Sequence, residues 1–292
     1  MTKALRIIYI VGDGRSGSTL LESMLNNSEQ VISVGESFRF WERFYKGETL
    51  CGCNLQISEC NLWRQVDTHL SQTIKDYDPA KIKKIMNEVL LYKNFNNLHK
   101  FSNTLIPIAR EFYRSIAAAS GKSIIVDSSK SPSWGKLLSL ITEFEVNYIH
   151  LERSLPFVAS SWKNKVLLPE YSSRKVYMPL KSNLGILRTW IRVKVLSHKL
   201  RDVNYIFIRY EDLCHHTDQL LTRLYLFLKL DLPSVATYYY KLNHAIAGNP
   251  IRMSGTQEII IHQLPDVKPK NLSRLEFYFF DLVHKLANWI IR

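Results

Sequence analysis

The chain has 292 residues, 46% apolar and 22% charged, enough to bury a substantial core and too apolar for global disorder. Lys and Arg number 39 against 26 Asp and Glu, a formal net charge of +13. That surplus points to an anionic partner: nucleic acid, an acidic membrane face, or a ligand bearing phosphate or sulfate. Four cysteines at this length exclude a disulfide scaffold.

In chain order, the apolar run 5–11 leads straight into a glycine-rich loop. It is too short for the apolar stretch of a signal peptide. No window of about 20 residues is free of charge, so no membrane span is expected and a cytoplasmic protein is. Short β-branched runs at 5–11, 31–34, 123–126, 147–151 and 203–208 read as strands. Helical patterns fall between them, at 19–25, 64–75, 79–91, 105–119, 133–141, 156–166, 184–200 and 219–228. This alternation predicts an α/β protein with a parallel sheet flanked by helices. The stretch 250–269 carries three prolines and reads as a long loop; 277–292 reads as an amphipathic terminal helix.

Residues 12–19 are Gly-Asp-Gly-Arg-Ser-Gly-Ser-Thr, between the first strand and the first helix. Such a loop aims backbone N–H groups and a helix N-terminus at one anion. Gly12 and Gly17 keep the spacing of a nucleotide-triphosphate P-loop, but Ser18 stands where its lysine reaches the phosphates. That argues against ordinary ATP or GTP hydrolysis. Arg15 can supply the missing charge as a bidentate clamp.

Gly14-Arg15-Ser16-Gly17-Ser18-Thr19-Leu20-Leu21 resembles the 5′-phosphosulfate loop of sulfotransferases that use 3′-phosphoadenosine 5′-phosphosulfate (PAPS). Three later segments extend the resemblance in family order. Arg153 and Ser161 match the spacing of the segment that holds the donor's 3′-phosphate, although Ser154-Leu155-Pro156 replaces its usual Asp-Pro-Arg. Tyr210-Glu211-Asp212-Leu213 is similar to a turn whose tyrosine lies near the adenine, a ring that an aromatic face can stack on. Gly248-Asn249-Pro250-Ile251-Arg252 is similar to an element of bacterial members, where Asn249 and Arg252 would contact the nucleotide. The resemblance implies a single sulfotransferase domain over 1–292, with helical inserts at about 38–120 and 165–200 forming the acceptor pocket. It also implies PAPS as co-substrate with no metal, and a bacterial cytoplasmic enzyme. A small-molecule acceptor follows from that, a natural product or a sugar.

Sulfuryl transfer must deprotonate the acceptor, balance charge on the sulfuryl oxygens and stabilise the departing bridging oxygen. Lys130, in Asp127-Ser128-Ser129-Lys130-Ser131-Pro132, is the candidate for the leaving oxygen, assisted by Arg15 at the sulfuryl group. Asp127 at the end of its strand also mimics a magnesium-binding P-loop carboxylate. Glu36, in Val34-Gly35-Glu36-Ser37, resembles the acceptor base of tyrosylprotein sulfotransferases, provided burial raises its pKa. An ion pair with Arg39 is the alternative for Glu36, and His99 and His150 are rival bases.

Cys51, Cys53 and Cys60 precede Trp63 in a pattern resembling some bacterial sulfotransferases. Packing, a disulfide and zinc all remain open there, but no histidine lies near in sequence. Lys181, Arg188, Arg192 and Lys199 fall within an arc of roughly 40° at 3.6 residues per turn. They form either an electropositive wall or a solvated face. No recognised nucleic-acid module accompanies the charge, so a nucleic-acid partner is not expected. A P-loop kinase using ATP and magnesium is the rival enzyme reading; a glycan or a protein tyrosine is the rival acceptor.

Overall fold

A computed structural model describes residues 4–171, 173–201, 204–232, 237–261 and 268–291. The chain runs β1 (Leu5–Gly12), α1 (Ser18–Leu25), β2 (Val31–Ser33), α2 (Phe40–Lys46), α3 (Asn61–Thr73), α4 (Pro79–Val89) and α5 (His99–Ser120). It continues through β3 (Ile124–Lys130), α6 (Pro132–Leu138), β4 (Phe144–Glu152), α7 (Leu155–Lys163), α8 (Asn183–His198) and β5 (Tyr205–Arg209). The remaining elements are α9 (Tyr210–His215), α10 (Thr217–Phe227), β6 (Tyr239–Tyr240), β7 (Gln257–Glu258) and α11 (Arg274–Ile290).

Strands β1 to β5 form one parallel sheet in the order β2-β3-β1-β4-β5. The fold is α/β, as expected. β1 lies between two neighbours and is covered on both faces, which accounts for its apolar run from Ile7 to Val11. Ile7, Tyr9 and Val11 pack into the cluster holding the buried faces of α3, α5 and α6. Ile8 and Ile10 pack on the opposite face with Leu21, Met24, Leu221 and Leu224 of α1 and α10.

All five strand segments fall on strands of the sheet, but boundaries move. β3 runs on to Lys130 and β4 starts at Phe144; Val203 lies outside the described residues. The helical pattern at 105–119 belongs to a longer helix that begins at His99 and contains Pro107. The aromatic stretch 40–46 is helix α2, not anticipated from its composition. Residues 210–215 form a separate short helix before α10. In the proline-containing loop, 250–253 is a 3₁₀ turn and 257–258 pairs with 239–240; residues 262–267 lie outside the described residues. Among the described residues, no helix is long and apolar enough to cross a membrane.

The parallel register brings the carboxyl ends of the strands to one edge. Val11 lies beside Lys130, Gly12 beside Leu151, and Glu152 beside Arg209. The chain leaves β1 towards β2 on one side, while β4 pairs with β1 on the other. Ligands of open α/β sheets bind outside the strand ends at such a switch point.

Candidate active site

A cavity of about 780 Å³ opens at this edge. It gathers Gly14, Arg15 and residues 17–20 of the loop, with Glu36, Lys130, Arg153, Ser161, Tyr210 and Asn249. Ser16 and Arg252, expected with them, do not line it. Ser16 is buried beneath the loop. Arg252 is buried among Glu170, at 3.2 Å, and the carbonyl oxygens of Ala245 and Leu50, at 2.8 and 3.3 Å. Its guanidinium is turned to those partners, so it braces the element bearing Asn249.

The loop's shape depends on two close approaches. Gly17 has φ +94°, and a Cβ there would lie 2.2 Å from the Tyr210 ring. A Cβ on Gly14 would lie 2.6 Å from Trp162. Both rings therefore rest on bare backbone. Arg15 has φ 71° and Lys130 φ 67°, a region side chains rarely adopt, so both cations sit on strained backbone of the kind found at functional sites.

The Arg15 guanidinium lies over Trp162, 5.3 Å from the ring centroid. Among the described residues its Nε and Nη2 are buried with no hydrogen-bond partner, and so is Nε of Arg153. Arg153 sits over the Tyr210 ring at 4.5 Å and donates from Nη1 to the Arg15 carbonyl at 3.3 Å. Tyr210 thus holds Arg153 in place as well as facing the cavity. Glu211 accepts from the Ser154 N–H at 2.9 Å, fixing the turn that bears Arg153. Behind it, Lys194 of α8 pairs with Glu152 at 2.5 Å in full burial.

Lys130 Nζ is 2.5 Å from Glu36 Oε1, and Arg39 Nε is 2.7 Å from Glu36 Oε2. Burial pushes the Glu36 carboxyl up, but the two cations overcome it and hold the group down at about 2. The expected upward shift is therefore reversed: this carboxylate is fully ionised, and the ion pair with Arg39 is real.

The carboxylate of Glu22, on α1, is buried and accepts from the Gly35 N–H at 2.6 Å, from Ser128 Oγ at 2.6 Å and from Ser33 Oγ. It ties the loop helix to the ends of β2 and β3 and so sets the path of the chain into Glu36. Asp127 accepts from Ser129 N at 2.7 Å and from the hydroxyls of Ser37 and Tyr113. With its oxygens engaged and no place in the cavity wall, it does not fit the magnesium ligand of a P-loop kinase.

The chain matches a family model described as "Sulfotransferase family" over residues 8–234. It belongs to the sulfotransferase family. Three solved structures are similar to this sulfotransferase. One is the sulfotransferase domain from the Synechococcus PCC 7002 olefin synthase, at 16% identity and TM-score 0.44, with 98% of this chain and 96% of that one covered. Another is the sulfotransferase domain from the curacin biosynthetic pathway, at 15% and 0.47, with 97% and 99% covered. The third is sulfotransferase STF9 from Mycobacterium avium, at 11% and 0.43, with 80% and 66% covered. No curated protein matches.

In this sulfotransferase neither rival histidine reaches the cavity. His99 is exposed at the start of α5. His150 is buried in β4, 2.6 Å from the Tyr205 hydroxyl, and burial lowers its pKa well below the usual range. Lys181 lies before α8, so it does not share an arc with Arg188, Arg192 and Lys199. It lines the cavity, with its ammonium 3.7 Å from the Trp162 ring centroid.

Sequence reasoning passed over Asp13 within the loop it identified. Asp13 is buried at the cavity, and its Oδ2 has no hydrogen-bond partner among the described residues. Burial raises its pKa to about 6, against the pull of Lys181, the Gly14 N–H and Lys130. The available signal was an acid inside a loop whose sequence predicts an anion site.

Proposed function

We propose that this sulfotransferase moves a sulfuryl group from PAPS to a hydroxyl or amine of a partly apolar small molecule, releasing 3′,5′-adenosine bisphosphate. The observation that carries this reading is the convergence of Arg15, Lys130 and Arg153 on one cavity, the two arginines with buried donors left unpaired. Donors so arranged are costly without an anion and favourable with one.

In this reading Arg15 and the backbone of residues 14–20 hold the phosphosulfate. Arg153 and Ser161 hold the 3′-phosphate, with Tyr210 and Asn249 closing the nucleotide side. The acceptor oxygen attacks sulfur in line with the bridging oxygen. A new O–S bond forms, the acceptor proton passes to Glu36, and the old S–O bond breaks with its electron pair left on the 5′-phosphate. Lys130 stabilises that departing oxygen.

Glu36 held at about 2 by two cations is a weak base. When Lys130 turns to the bridging oxygen, Glu36 keeps only Arg39 and gains basicity. Donor binding and base activation are thereby linked through one lysine.

We read the chain as one domain whose inserts at about 38–120 and 165–200 form the acceptor wall. Phe38, Tyr92, Met178 and Val193 line that side of the cavity. Their apolar character supports a natural product over a sugar.

Calorimetric titration with 3′,5′-adenosine bisphosphate, against 5′-AMP and ATP–Mg²⁺, tests the donor. Tight binding that requires the 3′-phosphate is expected. Stronger binding of ATP–Mg²⁺ would remove the role given to Arg153 and Ser161.

A further inference from the structure

Three cysteines with no chemical role in the transfer reaction meet a histidine from a distant part of the chain. Cys51 and Cys53 lie on the loop after α2, and Cys60 directly precedes α3. His244 comes from the segment that runs beside β2. Cys60 Sγ is 3.2 Å from His244 Nδ1, and Cys51 Sγ is 4.0 Å from it. The three sulfurs and the ring nitrogen all lie within 4.8 Å of one another. All three cysteines are free thiols.

We propose that Cys51, Cys53, Cys60 and His244 bind one zinc ion. The donor set is three thiolates and one imidazole, a common composition of structural zinc sites. Zinc takes sulfur at about 2.3 Å and imidazole nitrogen at about 2.0–2.1 Å, which sets tetrahedral ligand atoms roughly 3.5–3.8 Å apart. The observed spacing needs only small side-chain adjustment to reach that. The backbone N–H groups of Leu55 and Trp63 face the sulfurs of Cys53 and Cys60, as suits thiolates. The Trp63 indole N–H donates to the His244 carbonyl at 2.9 Å, holding the histidine-bearing segment against α3.

Four protein ligands leave no open position for water or substrate, so the ion is structural. Its place gives it a purpose. The Gly52 N–H donates to the Ala245 carbonyl at 3.2 Å. One residue on, Ile246 donates to Val34 at 2.9 Å and accepts from the Glu36 N–H at 2.8 Å. Further along, the Asn249 N–H donates to Thr19 Oγ1 at 3.2 Å. Zinc would pin the insert loop to the segment that flanks Glu36 and closes on the phosphosulfate loop. This inference does not depend on the identity of donor or acceptor.

The test is the metal content of protein made in zinc-supplemented medium and purified under reducing conditions without chelator. Wild type and the Cys214→Ser control should each carry about one zinc per chain. Cys60→Ser should lose at least four-fifths of it. His244→Cys should retain about one zinc, which separates loss of a ligand from loss of folding. Cobalt(II) added to zinc-stripped wild type should give the intense visible bands of a tetrahedral thiolate site. The proposal fails if wild type carries no zinc and takes up no cobalt. It fails equally if the purified chain is two hydrogens lighter, with a disulfide among Cys51, Cys53 and Cys60, or if Cys60→Ser keeps its zinc.

Discussion

Replacing Asp13 by Asn should make this protein more stable, although the residue sits in the loop that lines the cavity. Asp13 is 5% exposed, one of its oxygens lacks a hydrogen bond, and its pKa stands at about 6 where 3.8 is usual. A raised carboxyl pKa means that folding opposes ionisation. The stability is whole below the unfolded-state value and declines as pH rises through about 6. At 1.36 kcal/mol per pKa unit the penalty at neutral pH is about 3 kcal/mol. Asn keeps the shape and cannot ionise. By linkage the gain should be small at pH 4, grow through pH 5, and level off at about 3 kcal/mol above pH 7. Urea unfolding of both proteins at these pH values measures it. The same change removes a negative charge beside the anion site, so affinity for 3′,5′-adenosine bisphosphate should rise. A gain that does not vary with pH, or a loss of stability at pH 8, would refute the reasoning and make Asp13 a paired, ionised residue.

Lys130→Ala should lower turnover by roughly 10²–10³-fold, the scale of losing one preorganised stabilising group, with bisphosphate affinity kept within a few-fold. Steady-state kinetics together with calorimetry check it, and lost affinity with normal turnover would reverse the assignment. Arg153→Ala should do the opposite, weakening bisphosphate binding by roughly 10–150-fold, the worth of charge-assisted hydrogen bonds, while 5′-AMP binding changes little. Equal losses for both ligands would place Arg153 away from the 3′-phosphate. Gly17→Ala must adopt φ +94° and meet the Tyr210 ring. It should cost about 1–3 kcal/mol of stability and displace Arg153 with its tyrosine, seen as weakened bisphosphate binding. Wild-type affinity in that variant would mean the loop does not hold the ligand. In Lys130→Met, Glu36 loses one of the two cations that hold it at about 2. A lowered carboxylate stabilises above its usual value and loses that contribution as pH falls towards 2. The variant's stability deficit should therefore be present at pH 7 and shrink below about pH 4.5; a deficit constant down to pH 3 would deny the pairing.

The sheet was legible because each strand announces itself locally. β1 is apolar from Ile7 to Val11 and ends in glycine, as suits a strand buried on both faces. Helix α4 carries its own start signal, with the Asp78 carboxylate accepting from the N–H groups of Ala80 and Lys81 and Pro79 at the first position. Helix α2 was not legible: Phe40, Trp41, Phe44 and Tyr45 are poor helix formers, and their helix is secured by ring contacts with Trp63 and Phe112 from other elements.

The site divides along the same line. Arg15, Lys130 and Arg153 each lie at or just after a strand end, so their sequence neighbours alone direct them to one edge. Residues decided by a remote partner escaped. Arg252 looked like a clamp because its neighbours are Gly248 and Asn249, yet Glu170 captures it from the second insert. The expected rise in the Glu36 pKa assumed burial alone, and Lys130, brought alongside by β3, reversed it. The three cysteines lacked a second C-x-x-C pair and a nearby histidine, and the histidine arrives 184 positions after Cys60. In each case the local motif placed a charge or thiol, while a partner from another element decided what it faces. Charge pairing across elements is therefore the property on which the assigned roles rest. The double variant Lys130→Met with Arg39→Met should show it directly. With both cations gone, burial alone acts on the Glu36 carboxyl, and its pKa should cross from below the usual 4.5 to above it. Carbon-13 detection of the glutamate carboxyl would follow the crossing. A value still below 4.5 would mean that backbone or solvent, not the two cations, holds the charge.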